Sequence, residues 1–557
     1  MLYQRHGFKP ETCKSLAPVM INYTSENQLS LFQTPFDQQL DPHNRWVKLS
    51  NSLPWDGLVK NYVKKLRSDF GAPGINARMV IGALIIKHRL TLSDRETIEM
   101  IRENMYMQYF VGLSSFTTTP IFHHTEFVHI RKRLSEVDFN SMTEELMQVA
   151  GIIEKQHEQS SDTGNNENAG RPDNGGNNEG DETVIEKSPL PESQNPVAKQ
   201  EDRSEQKVVN DIEAITNKGD MQLDATVADQ KIKYPNDVEL LNTGRQETDR
   251  LIDLLCEELK QKRPRTYRNT ARKQFLQFAK RKVKPKNIIR KARRQQLNYL
   301  KRNLRQLDLL ITKYQSSKQT LQLPFEHRDY RILWATRLVY DQQLQMHNEN
   351  SQRIDDRIVS IYQPYVRPIV RGKAKAKVEF GSKLDISLQD GYAFIETLSW
   401  DAFNECKDVQ SAAENYKKRY GYYPANIIAD AIYHTRENKK WCTGNQIKLI
   451  GKALTKTALS KMTAKERKAH KQKHNSRNHV EGKFGQGKNG YELNEIKAKY
   501  SNTSKSWIAA IIFVMNILNF AGRSFLSFFE AAQYHTGQII NWLWLPVNSS
   551  KNKLCMI

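Results

Sequence analysis

What this 557-residue chain lacks narrows it first. Cysteine is scarce: Cys13, Cys256, Cys406, Cys442 and Cys555 lie scattered without paired spacing. An odd, dispersed set excludes a disulfide framework and a cysteine-rich zinc site. The N-terminal MLYQRHGFKPETCK has no apolar core of the kind a signal peptide needs. Long apolar runs are missing too. The most apolar, WIAAIIFVMNILNFAG from Trp507, holds Asn516 and Asn519 and is short for a bilayer span, so a buried helix is expected. With no membrane segment and no leader, a cytoplasmic protein is expected. Acidic side chains are outnumbered, 62 Asp and Glu against 85 Lys and Arg, for a net charge of +23. That excess favours a polyanionic partner, because each neutralised phosphate releases counterions. A membrane surface attracts the same charge, but nucleic acid is the better reading.

The length predicts two or three domains. The first 153 residues read as helical. ARMVIGALIIKHRL and DRETIEMIRENMYMQYFVGL carry apolar residues at helical spacing, with Ser93 and Asp94 placed to cap the second. EFVHIRKRLSEVDF predicts a third helix with basic residues on its exposed side. The pattern suits a DNA-binding helix-turn-helix and a plain helical bundle equally well. Residues 154–206 are rich in Asn, Gly, Ser, Glu and Pro with almost no large apolar side chain. Such a segment buries too little surface to offset its ordering entropy, and an acidic disordered linker is expected.

Beyond it, residues 207–545 read as an α/β domain and 546–557 as a tail. MQLDATVADQKIKYP alternates like a strand. A long helical insertion follows, about 236–360, interrupted near Pro264 and Pro285. Between Lys262 and Lys318 about twenty Lys and Arg face a single acid, Asp308, with Tyr267, Phe275, Phe278 and Tyr299 interleaved. Charge that one-sided repels itself unless an anion lies against it, which favours contact with a DNA backbone over a solvated arm. AKVEFGSKLDISL and YAFIETLSW, joined by Asp390-Gly391, predict a hairpin. A helix closed by Gly421 and the strand-like PANIIAD complete an order that gives a mixed sheet with helices on its faces.

Three acids stand out. Asp224 lies in the first strand and Asp430 ends NIIAD. Acids at strand ends of an open α/β sheet project into the crevice where ligands bind, although Asp is also a common turn former. Glu481 sits in HNSRNHVEGKFGQGKNGYE. On one helix His474, Arg477, Glu481 and Lys488 fall within about 60° of one face, an arrangement that suits a metal-binding carboxylate among phosphate-binding cations. An ordinary ion-paired surface helix is the plainer reading, and Gly482, Gly485 and Gly487 oppose a regular helix beyond Glu481. The Gly485-x-Gly487-x-x-Gly490 pattern follows a stretch too charged for a central strand, so no dinucleotide loop is expected.

These stretches resemble a known family. LDATVADQKIKYPNDVELL, RPIVRGKAKAKVEFGSKLDISLQDGYAFIETLSWDAFNE, IIADAIYHTRENKKW and RNHVEGKFGQGKNGYEL are similar, in that order, to bacterial insertion-sequence transposases of the DDE type, in the IS-five group and its close relatives. The N-terminal helical segment resembles that family's N-terminal domain. The resemblance implies an α/β RNase H-like catalytic domain, preceded by an all-α domain that binds transposon ends. It implies a catalytic, metal-binding triad of Asp224, Asp430 and Glu481 with two Mg²⁺, Mn²⁺ substituting. It also implies the signature Tyr-x2-Arg-x3-Glu-x6-Lys, which maps onto Arg477, Glu481 and Lys488, with His474 in place of the tyrosine. Arg477, Lys488 and His474 are expected at DNA phosphates, with Lys373, Lys375, Lys377 and Lys383 of the hairpin as further contacts. Lysine beside a hairpin also serves as an edge guard. Tyr433 and Asn438 are similar to family positions near the site. The implied partner is double-stranded DNA, transposon end and target, bound by a homodimer or higher oligomer. Two competing readings share parts of this pattern: an RNase H-like nuclease without strand transfer, and a DNA-binding protein without activity.

Overall fold

The computed structural model describes residues 34–66, 72–154, 216–370, 378–451 and 462–543 with Val19–Met20, giving backbone alone for 19–20, 72–73 and 524–543. Residues 1–154 and 217–557 belong to one compact unit. The expected linker, apart from Glu154, and the expected tail lie outside the described residues.

The N-terminal part is helical, as its periodicity predicts. It contains α1 (Pro35–Gln39), α2 (Arg45–Ser52), α3 (Trp55–Val63), α4 (Ala77–Arg89), α5 (Asp94–Glu103), α6 (Met105–Phe110), α7 (Glu126–Arg133) and α8 (Glu136–Val149). Two of the expected helices are each split. Asn104 leaves the helical conformation and accepts from the backbone N–H groups of Tyr106 and Met107, starting α6 afresh. Leu134 and Ser135 divide α7 from α8 in the same way, Ser135 forming a capping box with Asp138. Ser93 caps α5 through a box with Glu96. Asp94 does not cap. It accepts two hydrogen bonds from Arg131 and an ion pair from Lys87, drawing both cations into the interior. Arg131, expected on an exposed face, is therefore buried.

The sheet begins with β1 (Asp220–Asp229). The insertion then contributes α9 (Asp237–Glu258), α10 (Arg268–Ala279), α11 (Lys286–Lys318) and α12 (His327–Asn348), broken as expected near Pro264 and Pro285 and once more, unexpectedly, between Lys318 and His327. Leu241, Leu251, Leu255, Leu300, Leu307 and Ile332 give it a core of its own. It is thus a packed subdomain, and some of its cations are consumed internally: Arg245 with Asp249, Arg268 with Asp253 and Arg293 with Asp237.

After the insertion come β2 (Arg367–Val370), β3 (Val378–Gln389), β4 (Tyr392–Ser399), α13 (Asp408–Tyr420), β5 (Asn426–Ala429), α14 (Arg436–Gly444) and β6 (Lys448–Ile450). The chain then closes with α15 (Ala464–Ser476), α16 (Asn478–Gly490) and α17 (Ser501–Leu543). Asp390 and Gly391, both at positive φ (48° and 80°), make the two-residue turn that pairs β3 with β4. The strand order is β4-β3-β1-β5-β6, with β3 antiparallel to its neighbours and β5 and β6 parallel to β1; β2 pairs antiparallel with the first residues of β3, Val378–Gly381.

Two layers cover this sheet. Met221, Leu223, Ile427 and Ala429 pack with Val409, Ala412 and Tyr416 of α13 on one face. On the other, Leu384, Ile386 and Leu388 share one continuous core with α16, α17 and the N-terminal helices. The Trp507 run lies at the centre of that core. The helix it belongs to is longer than the run itself. Ser501–Arg523 has the length and composition to cross a membrane, yet 72% of its apolar window is buried within the protein. Asn516 explains the polar residue there, since it accepts from Ala393 N–H, donates to Ala393 C=O and donates to Thr143.

Candidate active site

Strand pairing brings the first two acids together. Leu223 pairs with Ala429, the last residue of β5, so Asp224 and Asp430 follow side by side where β5 ends. Asp224 is the one interior position of β1 that is not buried. It lies opposite Ile386, so it projects to the face covered by α16. Val480 and Phe484 anchor α16 in the core of that face, which carries the intervening Glu481 to the same edge.

Arg477 completes the constellation. It sits at the junction of α15 and α16, where its own N–H turns to His474 C=O and Val480 N–H turns to its C=O. Its guanidinium forms ion pairs, Nη1 with Asp430 at 3.2 Å and Nη2 with Glu481 at 2.9 Å. Asp430 also accepts from Ala431 N–H at 2.7 Å, and Asp224 from Ala225 N–H at 2.9 Å. Burial raises the Asp224 carboxyl to about 6; Arg477 opposes the shift, while Glu405 and Glu481 add to it. Asp430 and Glu481 remain about half exposed, at 55% and 49%.

The remaining expected residues divide. The break at Arg477 means that His474 is on α15 while Glu481 and Lys488 are on α16, so the four do not share one regular helix. α16 nevertheless runs on through Gly482, Gly485 and Gly487, contrary to the expectation from glycine cost. The glycine pattern lies within this helix and not at a strand-to-helix turn. Lys383 differs from expectation more sharply. It is 8% exposed and its ammonium is held by Glu405 at 2.8 Å and Phe403 C=O at 2.6 Å, a paired and shielded position in place of the expected exposed one. Lys373, Lys375 and Lys377 lie outside the described residues.

Tyr433 and Asn438 support the Asp430 loop from beneath. Tyr433 is buried and donates to Asp385 at 3.2 Å, while Asn438 donates to Tyr433 C=O and Cys406 C=O. Asp385 lies opposite Ala225 and so faces away from Asp224. Burial, with the Asp408 carboxyl hydrogen-bonded to it, pushes its pKa well above the usual range. Glu405, Asp385 and Asp408 escaped sequence reasoning. The available signal was the strand KLDISL, where two charged residues on a buried face required partners. Among the described residues no group of three or more His, Cys, Asp or Glu stands at metal-holding separation. The guanidinium of Arg477 lies between two of the three acids.

Residues 34–133 match a family model described as a transposase domain (DUF772), and residues 427–518 match one described as a transposase DDE domain. Both are transposase models. The second match holds Asp430, Arg477, Glu481 and Lys488, while the strand of Asp224 lies outside it. A protein of Rhizobium meliloti, "Uncharacterized protein ORF8 in nfe locus", is 30% identical over 92 residues. That match spans 16% of this chain and 44% of the relative's length. No solved structure matches.

Proposed function

We propose that this chain is a DNA transposase of the DDE type, in or near the IS-five group. It binds the ends of its insertion sequence, cleaves phosphodiester bonds and joins the freed 3′-hydroxyl ends to target DNA. The observation that carries this reading is the convergence of Asp224, Asp430 and Glu481 around Arg477 where β5 ends. An RNase H-like fold is supported by the order β4-β3-β1-β5-β6 with one reversed strand inside it. In this reading residues 1–153 bind transposon ends, 154–206 tether, and 207–545 catalyse, on double-stranded DNA held by a homodimer or higher oligomer in the cytoplasm.

The acids suit a divalent cofactor. An all-oxygen set of three carboxylates matches a hard cation, and the Asp224 carboxyl, raised chiefly by burial, would be drawn back to its charged form by a cation bound beside it. Asp224, Asp430 and Glu481 would hold two Mg²⁺, or Mn²⁺ in their place. Bound there, the ions supply an activated nucleophile and a stabilised leaving oxygen. Arg477 pairs with two acids and, with five N–H donors on its guanidinium, would also reach a phosphate oxygen. Lys488, two helical turns beyond Glu481, and His474, one turn before Arg477, extend that contact along the DNA. Tyr433 and Asn438 hold the Asp430 loop in place.

The test is a plasmid carrying the gene with its native flanks, incubated with purified protein and Mg²⁺ beside an Asp430→Ala control. Discrete 3′-hydroxyl ends at matching inverted repeats, absent in the control, are expected. Random nicking in both samples, or bound DNA without cuts, would overturn the assignment.

A further inference from the structure

The residues beyond the catalytic edge of β1 open into a second site. After Asp229 the chain passes Lys231 and Lys233 and reaches Tyr234, where the root of the insertion meets the sheet. A cleft of about 630 Å³ lies there, between this segment, α12, the stretch around Tyr362, and the approach to α17.

Its lining is unusual in two respects. Three tyrosines, Tyr234, Tyr362 and Tyr500, are exposed on it, and Tyr234 keeps 77% of its surface open. Tyr234 sets its ring edge-on to Phe380, 5.6 Å between centroids, and Tyr362 donates its hydroxyl to Glu247. Five cations line the same space. Lys231 pairs with Glu495 and Lys233 with Glu239, while Arg328, Arg331 and Lys499 make no ion pair among the described residues. Arg331 lies over the Tyr500 ring, 4.9 Å from its centroid, with its Nε buried and without a hydrogen-bond partner.

Cations alone read phosphates, and they read them on duplex and single strand alike. Exposed aromatic rings add a stacking surface, which a base can use only after leaving its own stack. The cleft is in the size range that takes one small organic group. A duplex, whose major groove alone is about 12 Å wide, does not enter it. We propose that this cleft binds an unpaired nucleotide of the DNA, its base against the tyrosines and its phosphates at Arg328, Arg331 and Lys499.

Position supports the same reading. From Asp224 to Lys231 the nearly extended chain covers roughly 20 Å at about 3.3 Å per residue. At about 3.4 Å per nucleotide along a strand, that is on the order of six steps from the scissile phosphate. The inference rests on the DNA-cleaving assignment above, and its test uses binding alone, with no metal and no cleavage.

The full chain is mixed with a single-stranded 30-mer in which 5-iododeoxyuridine replaces thymidine, irradiated with long-wave ultraviolet light, and its cross-linked peptides are mapped. Affinity for the unsubstituted 30-mer and for the matching duplex is measured in parallel by fluorescence anisotropy. Cross-links at Tyr234, Tyr362 or Tyr500 are expected. A Tyr234→Ser, Tyr500→Ser double variant should lose about tenfold in single-strand affinity and less than twofold on duplex. The corresponding double Phe variant keeps both rings and should bind within about twofold of the unmodified chain. Cross-links confined to other regions, an unchanged single-strand affinity in the Ser variant, or an equal loss on duplex would each overturn the proposal. Duplex binding without single-strand binding overturns it while leaving the transposase reading intact; binding of neither overturns both.

Discussion

Arg477 Nη2 lies 2.9 Å from a carboxylate oxygen of Glu481, one helical turn away. The same guanidinium reaches Asp430, on a different element, at 3.2 Å. One side chain therefore links the third of the three candidate acids to the second. Exposed pairs of this kind contribute at most about 1 kcal/mol to stability. Arg477→Ala should accordingly leave the melting temperature nearly unchanged while DNA cleavage falls by about 100-fold or more. The salt dependence of DNA binding should also flatten by about one counterion. Arg477→Lys should recover only part of the rate, because an ammonium does not present the planar fork. An unaltered cleavage rate in Arg477→Ala would remove Arg477 from the site.

Lys383 makes the opposite prediction. With Glu405 it forms a buried pair, the two side chains 11% and 15% exposed. Replacing Lys383 with Met strands the Glu405 carboxylate. Denaturant unfolding should show a loss of about 3 kcal/mol. DNA affinity, measured at a temperature where the variant remains folded, should stay within twofold. A weakened affinity in folded protein would return Lys383 to the DNA surface.

Lys87 carries a pH dependence. It is fully buried, ion-paired to Asp94 and set 4.4 Å from the centroid of the Trp507 ring. Burial lowers its pKa from 10.5 to about 8. Between those values the unfolded chain binds the proton more tightly than the folded one. Stability from this group therefore rises with pH from about 8 to about 10.5, and is lost as pH falls through that window. Unfolding midpoints compared across that range should show the gain in the unmodified chain and its absence in Lys87→Met.

The glycines of α16 separate by position. A Cβ at Gly485 meets nothing within 4 Å, whereas one at Gly487 lies 3.0 Å from Leu493 Cδ2 and 3.5 Å from the Met515 sulfur. Gly485→Ala should stabilise by about 0.5–1 kcal/mol through helix propensity. Gly487→Ala should gain less or destabilise, since the Cβ must displace Leu493. Thermal melting of the two variants checks both signs.

Much of this architecture was legible in local pattern. Period-2 alternation marked β1, Asp390-Gly391 marked the β3–β4 hairpin, Pro264 and Pro285 marked two of the breaks in the insertion, and Gly421 the end of α13, because each of these is dictated by residues a few positions apart. The helix breaks at Asn104 and Arg477 were not legible. At Asn104 a side chain that caps a new helix is indistinguishable by composition from one on a solvated face, and at Arg477 no capping side chain marks the break at all. The acids Asp224, Asp430 and Glu481 could be named from sequence, but the placing of Asp224 beside Asp430 and the pairing of Arg477 with Asp430 and Glu481 could not, since they depend on the pairing of Leu223 with Ala429 and on the burial of Val480 and Phe484.

By itself, then, the sequence determined the elements, the basic character and the residue types available for chemistry, all properties of short stretches and composition. Only the tertiary structure decided which charges remain available. It buried Lys383 and Arg131 against carboxylates, left Arg477 at an open edge between two acids, and enclosed Trp507 within a core shared by both ends of the chain. The physical reason is that a charged side chain acts according to the partners and solvent that surround it, and residues hundreds of positions apart supply them.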